Sequence, residues 1–574
     1  MRWLLCVLLG AVALATGGLW PSAAEAAQQR GGTAGGQTPR TDEGQTPLEA
    51  AAHVDALLAE ELFHGSSGAA GSVPGAVVLA PLTNDETFLR RLTLDLVGRL
   101  PSPAEITAFT LDRSAGKRTE AVERLLALPN FGRNWGRYWR DVIFYRRSDE
   151  RGLLAAGAAE RYLAKQFNKN TPWNTLAQSF ITATGDVREE GTTALIAAQM
   201  GEVNDVTSEA SRIFLGVQIQ CAQCHDHPTD RWKRRQFHEL AAFFPRIGLR
   251  PVRDGMKRSF EVVSHDQDRP RQRPMAMLRL GDLEHYMPDL KDPSSKGTLV
   301  QPVFFLTGQK LAQGETDLQR RDSLADWMTS NKNPWFAKAF VNRIWAELVG
   351  EGFYEPVDDL GPDRICSAGR TMDYLAAEFV AHAYDVKWLF RAVTGSQCYQ
   401  RESRPRRNPD QTPFMANCSQ RLRSDQIFDV LAAALGTHEG TFGPNKNAKR
   451  PMGGPFGQGG PRMQFAAVFG YDPSDRRDEI SGSIPQALLL MNSPLISRAI
   501  NGRNPNSTLA KLLADIPDDE QVAVELYLRC LGREPGESEL SACREHVRTT
   551  KDRAAAFEDL FWALINSPEF LHRH

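Results

Sequence analysis

Between Asn130 and Tyr145 the chain sets Phe131, Trp135, Tyr138, Trp139 and Phe144 at helical spacing. Rings repeating in this way mark one face of a helix, and that much aromatic surface requires a deep core to cover it. We read the stripe as core rather than as a cofactor box. Neighbouring segments keep the same period. In "SPAEITAF", Ser102 can cap, Pro103 suits the first helical position and Glu105 completes a capping box. "KRTEAVERLLAL" follows, with Val122, Leu125 and Leu126 on one face. Asn333 and Pro334 open a helix through Phe336, Phe340, Ile344 and Leu348 that Gly350 ends. The period predicts further helices over 371–384, 386–398, 421–435, 483–500, 518–531, 537–550 and 553–566.

The helical texture is interrupted between about 248 and 318, where short runs such as "SFEVVSH" and "QPVFFLTG" read as strands. The expected fold is mainly α: a helical module over 48–247, a small β-containing insertion over 248–318 and a second helical module over 319–574. A Gly/Pro-rich loop is expected at 441–463. It lacks the G-K-[ST] ending of a phosphate loop. "GRLPSPAEI" from Gly98 and "GREPGESEL" from Gly532 echo one another. Two copies favour one helix–turn–helix solution used twice over an ancient duplication.

The first residues point to export. Arg2, an apolar stretch from Leu4 to Leu19 and the small-x-small site Ala24-Glu25-Ala26 make 1–26 a signal peptide, with an uncleaved anchor as the other reading. Residues 27–47 form a flexible linker, too poor in large apolar side chains to fold. No membrane span is expected after cleavage, and the mature chain is placed in the periplasm or cell envelope. The formal charge of -2, from 68 basic and 70 acidic residues, argues against a nucleic-acid partner.

Chemistry concentrates in "GVQIQCAQCHDHPTDRW", Gly216 to Trp232. Ala210, Ile213, Phe214 and Val217 form a helical stripe that places Cys221 one turn further along the same face. Pro228 then stops the helix, and Phe237, Leu240, Ala241 and Phe244 begin another. Three readings of Cys221-Ala222-Gln223-Cys224-His225 stand open. In the first, Cys221 and Cys224 form thioethers to a haem c and His225 is the proximal ligand. In the second, Cys221 and Cys224 hold zinc or another transition metal with His225 or His227, completed by Asp226, Asp230 or a remote residue. In the third, the two cysteines form a disulfide. For haem, His227 lies too close to His225 to reach the opposite face. The distal candidates are Met200, His238, His265, Met275 and Met277. Seven cysteines remain after cleavage, of which Cys530 and Cys543 suit a bridge between neighbouring helices. No G-x-S-x-G or H-E-x-x-H signature occurs, and Asp358, Asp359 and Asp363 read as caps and solvated turns.

"FLRRLTLDLVGRLPSPAEI", "ERLLALPNFGRNWGRYWRDV" and "FLGVQIQCAQCHDHPTDRW…FHELAAFF" resemble an exported planctomycete cytochrome-like module, domain of unknown function fifteen-forty-nine. "LADWMTSNKNPWFAKAFVNRIWAELVGEGFYEPVDDLG", "RLRSDQIFDVLAAALG", "SIPQALLLMNSPLI", "LYLRCLGREP" and "INSPEFL" resemble its planctomycete-specific partner, domain of unknown function fifteen-fifty-three. The resemblance implies the two-module architecture. Its cytochrome label rests on the same Cys221, Cys224 and His225, so it adds no separate evidence for haem. The expected function is redox or electron transfer at the envelope with an unidentified redox or envelope protein partner. No catalytic residue is assigned. The contrasting readings are a non-catalytic envelope scaffold stapled by the motif, and a metal-dependent hydrolase needing His227 and Asp230 as ligands.

Overall fold

The aromatic stripe lies on the helix Pro129–Phe144, and all five rings are buried. A computed structural model describes residues 44–64, 78–254, 257–266, 281–406, 412–437, 461–480 and 482–574. The signal peptide, most of the linker, Met275, Met277 and the loop from 441 to 460 therefore lie outside the described residues. The stripe does not pack within its own module alone. Phe131 meets Phe390 edge-on at 5.3 Å, and Trp139 lies parallel to Phe340 at 5.7 Å and 6°. Phe340 and Phe390 sit on Pro334–Val349 and Val386–Gly395 of the second module. One apolar cluster thus runs from Ala50 to Phe414 and takes in Leu528, with both modules contributing. A second cluster gathers Leu422 to Phe570 and takes in Leu94 and Leu100.

The capping signals are realised. Glu105 N–H donates to Ser102 Oγ at 3.2 Å, and Ser102 N–H donates back to Glu105 Oε2 at 2.8 Å. Gly350, at φ 98, ends the helix that Asn333 caps. Two expected helices are split. Pro494 has no N–H and pushes Ser493 to an extended conformation, so 483–500 becomes Ile484–Asn492 and Pro494–Ala499. Ser396 leaves the helix Val386–Gly395 to cap Gln397–Gln400 through Tyr399 N–H. Pro461, Arg462 and Met463, expected in the loop, belong to the helix Pro461–Phe469. Cys530 and Cys543 are both free and buried rather than bridged.

The echoed segments share their geometry as well as their letters. Gly98 and Gly532 are left-handed caps at φ 71 and 72, a conformation glycine adopts without steric cost. Arg99 grips Glu105 through two bonds of 2.8 and 2.9 Å, and Arg533 grips Glu539 through two of 2.7 and 2.9 Å.

Among the described residues, strand structure is confined to small sheets, and the architecture is mainly α. The largest sheet has three strands. Lys257–Ser264 lies between Ile247–Asp254 and Gly185–Asp186, antiparallel to both, with Leu249 opposite Val262. Among the described residues, no helix is long and apolar enough to cross a membrane.

Candidate functional site

The helix before the motif ends earlier than Pro228. Val203–Leu215 stops at Gly216, φ 66, and Val217 N–H closes onto Ser211 O. The apolar stripe reads through Gly216 in sequence, but a left-handed glycine turns the chain out of the helix. Cys221 therefore lies on a separate 3₁₀ turn, Ile219–Gln223, rather than further along the same helical face. Ile219 and Ala222 are buried and anchor this turn, which leaves Cys221, Cys224 and His225 exposed. Both cysteines carry free thiols, so the third sequence reading, a Cys221–Cys224 disulfide, is not formed.

The loop that follows is closed from behind. His227 N–H donates to Trp232 O at 2.8 Å, and the buried Trp232 meets Phe305 of the insertion edge-on at 5.2 Å. Asp226 Oδ1 accepts from Arg234 N–H at 3.0 Å, and its other oxygen pairs with Lys233 at 3.1 Å. These donors hold the Asp226 carboxyl below its usual range. Gln223 O accepts from Arg234 Nε at 3.3 Å and from His238 Nε2 at 3.1 Å.

Those bonds set the tautomers. A carbonyl oxygen only accepts, so His238 Nε2 carries a proton. In the neutral ring Nδ1 is then the acceptor, and His285 Nε2–H, 2.9 Å away, donates to it. Burial lowers the affinity of His238 for a further proton, and burial next to His238 pushes His285 down to about 4. His238 thus braces the loop with both nitrogens engaged, which removes it from the distal-ligand candidates. The same rule applied to His225 puts the proton on Nδ1, 2.7 Å from Asp226 O, and leaves the Nε2 lone pair.

His227 Nδ1 accepts from Thr229 N–H at 3.3 Å, turned back into its own loop. The Asp230 side chain is 2 % exposed, packed towards Arg364 and so close to Gly361 that a Cβ there would collide with it. Among the described residues, no three His, Cys, Asp or Glu side chains group closely enough to hold a metal ion.

Residues 75–248 match the family model described as PSCyt2, a protein of unknown function (DUF1549), and residues 320–547 match PSD1, a protein of unknown function (DUF1553). The chain carries both modules, PSCyt2 followed by PSD1. No curated protein matches it. No solved structure does either.

The cysteine loop lies wholly within the PSCyt2 match, yet the PSD1 module holds it in place. Leu360 N–H donates to Gly216 O at 2.6 Å, and Arg231 pairs with Asp363 at 2.6 Å. Asp358, expected in a solvated turn, is fully buried. It accepts from Arg212 at 2.6 Å, Arg343 at 3.2 Å and Gln218 at 3.0 Å, and also from Ser474 Oγ. Burial pushes its carboxyl up, but Arg212 and Arg343 outweigh that and hold it far below the usual range. Asp359 pairs with Arg364 of its own module at 3.1 Å, but Asp358 and Asp363 reach across to Arg212 and Arg231, so the acidic turn is a docking element between modules. The only local hint was Arg212 beside the apolar stripe of its helix. Its partner is 146 residues away, beyond the reach of any sequence period.

Proposed function

We propose that the PSCyt2 module binds one c-type haem covalently through Cys221 and Cys224, with His225 as proximal ligand, in an exported protein that transfers electrons at the cell envelope. One observation carries the reading: two free, exposed thiols on a buried-anchored turn precede an imidazole whose Nδ1 proton is held by Asp226 O. This donor set fits the group. Thioether attachment uses two separate positions on the porphyrin edge and the iron takes the third donor, so the three side chains need not converge on one point. A carbonyl that accepts from Nδ1–H orients a ligand histidine and leaves Nε2 for the metal. Bound haem would supply a one-electron ferric/ferrous couple, taking an electron from one redox partner and passing it to another. The chain's own contribution is to hold the loop. His238 and Arg234 fix the Gln223 carbonyl, Lys233 and Arg234 fix Asp226, and Asp358 fixes the residues leading into the turn.

The test is a visible spectrum and pyridine haemochrome assay on protein exported in a host with cytochrome c maturation machinery, beside a Cys221→Ala/Cys224→Ala control. A sharp reduced α-band that survives acid-acetone extraction and vanishes in the control is expected. Folded protein without a Soret band ends the haem reading. Metal analysis of that sample then separates a metal site from the envelope scaffold.

A further inference from the structure

A cleft of about 570 Å³ lies between the PSCyt2 helix Pro129–Phe144 and the PSD1 helices Ser424–Ala434 and Pro461–Phe469. It shares no residue with the cysteine loop. Arg99, Arg133, Arg137 and Arg462 line it, against the carboxylates of Asp425 and Asp429. Both carboxylates are already engaged. Asp429 accepts from Arg137 at 2.6 Å through one oxygen and from Arg462 through the other. Asp425 pairs with Arg423 at 3.1 Å. Arg462 is fixed further, with its guanidinium 4.4 Å over the Phe428 ring.

Arg99 is also matched by Glu105 at 2.8 Å and Arg137 by Glu160 at 3.1 Å, so the unmatched cation is Arg133. It is exposed, and among the described residues no acidic side chain pairs with it. It stands four positions before Arg137 on the same helix, so the two side chains share the face that lines the cleft. An anion in the cleft would supply the counter-charge that Arg133 lacks, and guanidinium forks match the geometry of tetrahedral oxyanions. The volume is that of a small-molecule site.

We propose that the cleft binds an oxyanion ester, a phosphate or sulfate group carried on a small polar body, with Arg133 as its principal cation. The experiment is isothermal titration of the full exported chain with inorganic phosphate, inorganic sulfate, glucose 6-phosphate and glucose 6-sulfate. One-to-one binding of at least one ester is expected, tighter than the matching inorganic ion and weakened by added salt. Whichever ester binds tighter identifies the group. Arg133→Ala should weaken that binding by about tenfold or more without lowering the melting temperature, and Arg133→Lys should restore part of it. No binding of either ester at millimolar concentration overturns the proposal. So does equal binding of the inorganic ions, or an Arg133→Ala variant that binds like the parent.

Discussion

The cysteine loop and the Asp358 cluster behind it are joined through Gln218, yet they are built on opposite principles. The loop turns its chemistry outwards, with Cys221, Cys224 and His225 exposed on a short turn that two small anchors hold. The cluster buries two carboxylates, Asp358 and Glu209, with two guanidinium groups and a hydroxyl where two modules meet. Reactive groups that must meet a partner gain nothing from burial. Charges that fix one module against another discriminate sharply only when water is excluded. Stability and chemistry should therefore separate on mutation.

Asp358→Ala should have the largest effect on stability. It leaves Arg343 without its carboxylate in the core, while Arg212 keeps only Glu209, and losing one member of a buried pair costs about 3–5 kcal/mol. The denaturation midpoint should fall accordingly, and any haem loading should fall with it because Gln218 loses its PSD1 acceptor. A midpoint within error of the parent would sink the docking role. Acid comes next. His285 has a folded value of about 4, below the ordinary histidine value of 6.5, so the unfolded chain takes up the proton first. Its contribution to stability is present above pH 6.5, is lost as pH falls towards 4, and loses nothing further below that. His238, His572 and His574 are lowered in the same direction, so the diagnostic quantity is the difference between the parent and His285→Gln, whose pH profile should be flatter.

Ser102→Ala removes one capping acceptor and should cost about 1 kcal/mol, read as a small shift in denaturation midpoint. The matching position of the echo, Gly536, has no side chain to lose, and only Glu539 closes the box there at 2.8 Å. Gly536→Ser should thus be neutral or slightly stabilising. The smallest change in stability belongs to Cys221→Ala/Cys224→Ala. Without maturation machinery it should stay within about 0.5 kcal/mol of the parent, because both side chains are exposed, while in the maturation host it should abolish the pigment. A large loss in the unloaded protein would mean that the thiols staple the fold.

Much of the fold is local and was therefore legible. Ser102, Pro103 and Glu105, the Asn333 cap with Gly350, and the Phe131 to Phe144 stripe each act within a few residues of themselves, where helical period and capping chemistry decide the outcome. The stop at Gly216 carried its signal in the glycine, overridden by a stripe that continued past it. Local pattern alone encoded most of the helices, the two modules, and the placing of Cys221, Cys224 and His225 side by side. Only the tertiary structure decided that Asp358 is buried against Arg212, that His238 braces Gln223 against His285, and that four arginines converge on one cleft. Those pairings join residues far apart in the chain. Their free energy depends on which surfaces exclude water from each other, and local sequence pattern does not encode that.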